Sequence, residues 1–140
     1  MARVLIMGCG RTGSLLAQML DRAGQEVTVI DWNESAFERV GDSYGGRTVT
    51  GNALDQDVLR SAGIASADFF VAATSGDNRN IMASQVAQRV FHVPRVIARI
   101  KDPDRAEFFH RLGLEVDCRT SAGAQVLLDL ADRELSEQLV

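Results

Sequence analysis

Glycines 8, 10 and 13, spaced as Gly-x-Gly-x-x-Gly, are the first residues in this chain whose pattern points to chemistry. At that spacing one glycine permits a tight turn, the next lets backbone approach a pyrophosphate, and the third lets a helix pack closely on a strand. Cys9, Arg11 and Thr12 complete the loop. A helix opening there aims unpaired N–H groups and the positive end of its dipole at a phosphate. Asp31, 18 residues beyond Gly13, ends a second apolar run and is placed to accept hydrogen bonds from ribose hydroxyls. Its charge repels a 2′-phosphate, and Trp32 and Asn33 beside it bring no compensating arginine, so NADP is disfavoured. Arg11, at the mouth of the loop, can reach a β- or γ-phosphate with a planar fork of donors. Thr74 and Ser75 follow another apolar run and read either as crevice residues or as caps of the next helix.

These residues need strands and helices to hold them, and the apolar pattern predicts which. Val4–Met7 reads as a strand and Ser14–Leu20 as a helix. Gly24 sits where a C-terminal cap belongs, and Val27–Asp31 reads as the next strand, which makes a βαβ unit. The alternation continues with a helix over Glu34–Tyr44, a strand over Thr48–Thr50, a short helix over Gln56–Ala62 and a strand over Asp68–Ala73. A longer helix spans Asn78–Val90, a fifth strand Val96–Ile100, and a helix Pro103–Leu112 with Asp102 as N-cap and Pro103 at its first position. Glu115–Cys118 is a weaker sixth strand. The expected class is α/β, a doubly wound, Rossmann-like parallel sheet of about six strands with right-handed crossovers. It forms one lobe over residues 1–120, with residues 121–140 as a C-terminal helix. In that helix Val126, Leu127, Leu128, Leu130, Leu135 and Leu139 are spread more widely than one core-facing stripe requires. It either covers the last strand or meets another surface.

Composition bounds the function. With 140 residues, 46% apolar and 24% charged, the chain has material for one core. A net charge of −4 and no basic cluster argue against nucleic acid as a partner. No apolar run reaches the ~20 residues a membrane crossing needs, and the N-terminus enters a strand without a leader, so a soluble, cytoplasmic protein with no direct membrane insertion is expected. Cys9 and Cys118 lack disulfide or zinc spacing, which predicts no metal and reduced, core-type cysteines. His92 and His110 read as surface residues. Lys101 is the only lysine and Tyr44 the only tyrosine, in separate elements, so a Tyr-x-x-x-Lys dyad is excluded. No residue is assigned a catalytic role. The competing reading is the NAD-binding domain of an oxidoreductase that lacks its substrate domain.

Several further segments are more specific than the glycine loop. Gly51-Asn52-Ala53-Leu54-Asp55, Val58-Leu59-Arg60-Ser61-Ala62-Gly63-Ile64, Ala73-Thr74-Ser75-Gly76-Asp77-Asn78-Arg79-Asn80 and Pro94-Arg95-Val96-Ile97-Ala98-Arg99-Ile100 resemble GDATD, VLREAGI, T-x-x-D-x-x-N and PRVIARV. Those stretches mark the N-terminal lobe of regulator-of-K⁺-conductance domains, the TrkA N-terminal or KTN type. The resemblance implies a lobe that binds NAD(H) or ATP/ADP and controls a membrane-embedded potassium channel or transporter by changing conformation. It implies peripheral attachment to the inner face of the membrane through that partner. It also implies self-assembly into dimers and rings, and a crossover-type helix at the C-terminal end. By the same resemblance Gly8, Gly10 and Gly13 hold phosphates, Asp31 the ribose, Asn52 and Ala53 the adenine, and Arg99 is a second phosphate-facing arginine. Asn52 departs from the usual aspartate, which weakens the implied preference for adenine.

Overall fold

The computed structural model describes residues 1–138. Six strands form one sheet: β1 (Arg3–Met7), β2 (Glu26–Asp31), β3 (Arg47–Thr50), β4 (Phe69–Ala72), β5 (Arg95–Arg99) and β6 (Glu115–Asp117). All pairings are parallel and the order is β3-β2-β1-β4-β5-β6. The five helices are α1 (Arg11–Arg22), α2 (Gln56–Ser61), α3 (Asp77–Arg89), α4 (Pro103–Arg111) and α5 (Arg119–Gln138). The expected architecture is therefore the observed one. β1 is the central strand, with Val4–Met7 all buried, which is why it reads as an unbroken apolar run and not as an alternation.

Alternate residues of the strands feed two cores. Val4, Ile6, Val27 and Val29 face α1 through Ala17, together with Ala36 and Val40 of a short 3₁₀ segment. Leu5, Met7, Phe70, Val96 and Ala98 face α2, α3 and α4 on the other side. Because chain order runs outward from β1 in both directions, the sheet reverses between β1 and β4. A crevice opens there at the carboxyl ends of the strands.

Two expectations need correction. The helix predicted over 34–44 is a 3₁₀ segment of Glu34–Val40, capped by the Asn33 side chain accepting from the Ser35 N–H. Gly41, at φ +79°, ends it, and Tyr44 turns away to donate its hydroxyl to the carbonyl oxygens of Val27 and Arg47. The terminal helix starts at Arg119, two residues early, and does not cover the last strand. Its described side chains from Arg119 to Arg133 are all exposed, including Val126, Leu127, Leu128 and Leu130. The parts of that expectation resting on Leu135 and Leu139 lie outside the residues whose side chains are described. Among the described residues no helix is long and apolar enough to cross a membrane.

Candidate functional site

The glycine turn joins β1 to α1, and each of its glycines has a different reason to be glycine. Gly8 adopts φ +104°, and a Cβ there would press on the Thr74 backbone nitrogen at 3.0 Å. A Cβ on Gly13, in the first turn of α1, would collide with the Gly8 carbonyl oxygen. Gly10 is the N-cap of α1, and a Cβ there would meet nothing within 4 Å. The first two positions are glycine for the turn and the packing. Gly10 faces open crevice, where a side chain would stand in the path of anything approaching the helix N-terminus.

Asp31 fixes this loop from the end of β2. Its carboxylate accepts from the Cys9 N–H at 2.8 Å on one oxygen and from the Asn33 N–H at 2.9 Å on the other. Each oxygen keeps a lone pair for a further donor. Cys9 lies outside the crevice lining and holds Asp31 through its backbone N–H. Its thiol is buried, donates to the Ala36 carbonyl oxygen at 3.3 Å, and is pushed to a higher pKa by burial and then by the nearby Asp31 charge.

On the far side of the crevice the T-x-x-D-x-x-N segment holds the ends of β4 and β5 together. Asn80, fully buried, accepts from the Thr74 N–H at 3.0 Å and the Thr74 hydroxyl at 2.6 Å, and donates to the carbonyl oxygens of Thr74 and Arg99. Asp77 accepts from the N–H groups of Lys101 at 2.8 Å and Asp102 at 3.1 Å. Burial works against ionisation of Asp77. Those two hydrogen bonds, with Arg105 and Lys101 nearby, outweigh it and hold the carboxyl below its ordinary value. Thr74 therefore has its hydroxyl committed to Asn80, and Ser75 is exposed at the rim.

The crevice encloses about 540 Å³. Of the residues singled out from sequence, Gly8, Gly10, Arg11, Thr12, Asp31, Trp32, Ala53, Thr74, Ser75 and Arg99 line it. Cys9, Gly13 and Asn52 do not. Asn52 is exposed and accepts from the Leu54 N–H at 3.0 Å, a local turn that takes its side chain out of the lining. Six lining residues were not among the candidates, Met7, Ile30, Gly51, Ala73, Gly76 and Arg79, and of these only Arg79, in the first turn of α3, is charged. Its stem lies back against Gly76 and its guanidinium carbon is 5.4 Å from the centroid of the Trp32 ring. The segment after Asp31 lacks an arginine, and α3 supplies one from 48 residues away. Only its place in the first turn of a helix that opens at the sheet's switch point could have signalled it.

Electrostatically the crevice is lopsided. Three arginines, 11, 79 and 99, face one carboxylate, Asp31, in a chain of net charge −4. Among the described residues none of the three forms an ion pair, and the Nε of Arg79 and of Arg99 is buried without a hydrogen-bond partner. A second depression, apolar and about 770 Å³, adjoins the crevice on the α1 side of the sheet, between α1 and the strands β4 and β5. Leu15, Met19, Phe69, Val71 and Ile97 line it, together with Arg11, Thr12 and Arg99.

The TrkA-N family model matches residues 4–117, a span that runs from β1 to the end of β6. The chain belongs to the TrkA-N family. The Streptomyces coelicolor Trk system potassium uptake protein TrkA is 55% identical over 111 residues, which are 79% of this chain and 50% of that protein. A TrkA homolog from Pyrococcus abyssi is 36% identical over 109 residues, 78% of this chain and 48% of its own. The chain thus spans about half the length of these curated relatives. Among solved structures, the GsuK channel bound to NAD superposes with a TM-score of 0.81 at 27% identity, over 97% of this chain and 24% of that one. GsuK bound to ADP gives 0.79 at 27% identity, over 95% and 34%. The TrkA-N domain of the Escherichia coli inner membrane protein ybaL, 22% identical with a TM-score of 0.81 over 92% of this chain and 96% of that one, shares the fold.

Proposed function

We propose that this TrkA-N lobe binds an adenine nucleotide, NAD(H) or ATP/ADP, and through it regulates a membrane-embedded potassium channel or transporter. The observation that carries the reading is the excess of positive charge in the crevice. Arg11 and Arg99, which form no ion pair among the described residues, line the crevice where the N-terminus of α1 and the Gly10 gap open, and the Asp31 carboxylate ends β2 beside the loop. A ligand with two or more phosphates and a ribose satisfies both halves. The GsuK complexes with NAD and ADP and the relatives named as potassium uptake proteins support the same assignment.

In this reading Gly8 and Gly13 shape the loop, and Gly10 and Arg11 meet the phosphates. Asp31 takes ribose hydroxyls, Trp32 and Ala53 border the base, and Arg99 meets a second phosphate. Thr74 and Ser75 form the far rim. The lobe acts by binding and not by catalysis, and its work is conformational. A nucleotide shifts the channel only to the extent that it binds one arrangement of the assembly more tightly than the other. The assembly is a homodimer, or a ring built from dimers, on the cytoplasmic side of the membrane.

Thermal-shift titration with ATP, ADP, AMP, NAD⁺, NADH and NADPH tests the binding step, since a ligand that binds only the folded state raises stability by RT ln(1 + [L]/Kd). A shift with at least one of the di- or triphosphates and none with phosphate-free adenosine is expected. Flat melting curves across the series would remove the nucleotide.

A further inference from the structure

We infer that Trp32 and Arg79 are the two jaws of a clamp that holds the nucleotide base, and that Arg79 is a specificity-determining residue of this site. The inference rests on the nucleotide reading above. The two ends of the ligand are set by the fold. Phosphates belong at the N-terminus of α1, and the ribose belongs at Asp31, at the carboxyl end of β2. The base must then lie beyond Asp31. The surface available there is Trp32, the next residue along, with Ile30 and Ala53 as an apolar floor.

Trp32 is 70% exposed, an uncommon position for an indole unless its face has a use. The face is covered from α3 by Arg79, whose guanidinium is planar and stacks on aromatic surfaces. A guanidinium and an indole thus meet across the mouth of the crevice, one from each half of the sheet. The guanidinium carbon lies 5.4 Å from the ring centroid, closer than the roughly 7 Å, twice the ~3.4 Å step between stacked bases, that a base lying between the two groups needs. Arg79 must move aside to admit a base. Among the described residues it makes no ion pair, and its Nε has no hydrogen-bond partner. A base between indole and guanidinium gains stacking on one side and a cation–π contact on the other.

Trp32 is the single tryptophan of the chain, so its emission reports on this jaw alone. ADP titrated into the intact protein is expected to change that emission with the midpoint that calorimetry gives. Trp32→Leu should lower ADP affinity about ten- to hundredfold and Arg79→Ala roughly three- to tenfold. Both variants should bind inorganic pyrophosphate as the wild type does, and Trp32→Phe should retain most of the ADP affinity. Melting temperatures near wild type confirm that each variant is folded. ADP binding without a change in emission overturns the clamp and leaves the nucleotide reading standing, as does an Arg79→Ala protein that binds ADP as tightly as wild type or tighter. An equal loss for pyrophosphate in Arg79→Ala makes the residue a phosphate ligand and overturns the clamp. Wild-type protein that binds no ADP, ATP or NAD(H) overturns both.

Discussion

Asp31 does two jobs with one carboxylate, so its removal must be read on two instruments. Asp31→Ala takes a charged acceptor from the ribose site, a loss on the order of 1.5–3 kcal/mol or about ten- to hundredfold in nucleotide affinity by calorimetry. It also frees the Cys9 N–H, so the melting temperature falls in the absence of ligand. The glycines divide more cleanly. Gly13→Ala forces a Cβ onto the Gly8 carbonyl oxygen and should unfold the loop, seen as a loss of several degrees in Tm. Gly10→Ala meets open space and should leave stability within about 0.5 kcal/mol while weakening every phosphate-bearing ligand. Equal effects of the two substitutions on Tm would refute that division. Sequence spacing assigned these residues a turn, a close approach to phosphate and a helix–strand contact in that order, but not the atoms each one meets. Those atoms, the Thr74 backbone for Gly8 and the Gly8 carbonyl for Gly13, are contacts made only in the fold.

At the scale of elements, the T-x-x-D-x-x-N segment is a joint between strands. Asn80 bonds to Thr74 at the end of β4 and to the Arg99 carbonyl at the end of β5, and Asp77 holds the two residues that follow β5 and its adjoining residue. Asn80→Ala leaves buried polar backbone without partners and should cost on the order of 3 kcal/mol in chemical denaturation. Asp77 predicts a pH effect of definite sign. Its pKa is lowered by folding, so its stabilisation is fully present above the ordinary carboxylate value and disappears as pH falls through the folded value. The stability gap between wild type and Asp77→Ala, measured by denaturant titration, should therefore be constant near neutrality and close in strong acid. A gap that widens on acidification would contradict the assignment. The elements themselves were legible because buried parallel strands are short apolar runs separated by capped helices, as with Asp102 accepting from the Asp104 N–H ahead of Pro103. The segment after Asn33 misled because its apolar residues Ala36, Phe37 and Val40 fit both helix types. Arg79 was missed because a single helical arginine carries no sign of the ring it covers.

At the scale of the molecule, two apolar surfaces stay uncovered, the outer face of α5 and the groove of α1 with β4 and β5. A lobe that self-associates can bury both. Each leucine fully buried between copies contributes about 1.5–3 kcal/mol before association costs, so Leu127, Leu128 and Leu130 are enough to decide whether a dimer persists at micromolar concentration. Truncation near Thr120 should lower the mass measured by light scattering, and a full-length chain that is monomeric at high concentration would contradict self-association. Arg11 and Arg99 border the groove and the nucleotide crevice alike. An occupant of one cavity therefore touches side chains that the occupant of the other also needs. Thermodynamic reciprocity then applies: the factor by which a groove partner changes nucleotide affinity is the factor by which the nucleotide changes the partner's. Should the partner be a second copy, the measured dissociation constant of the nucleotide becomes a function of protein concentration, and dilution alone changes how the lobe responds to its ligand.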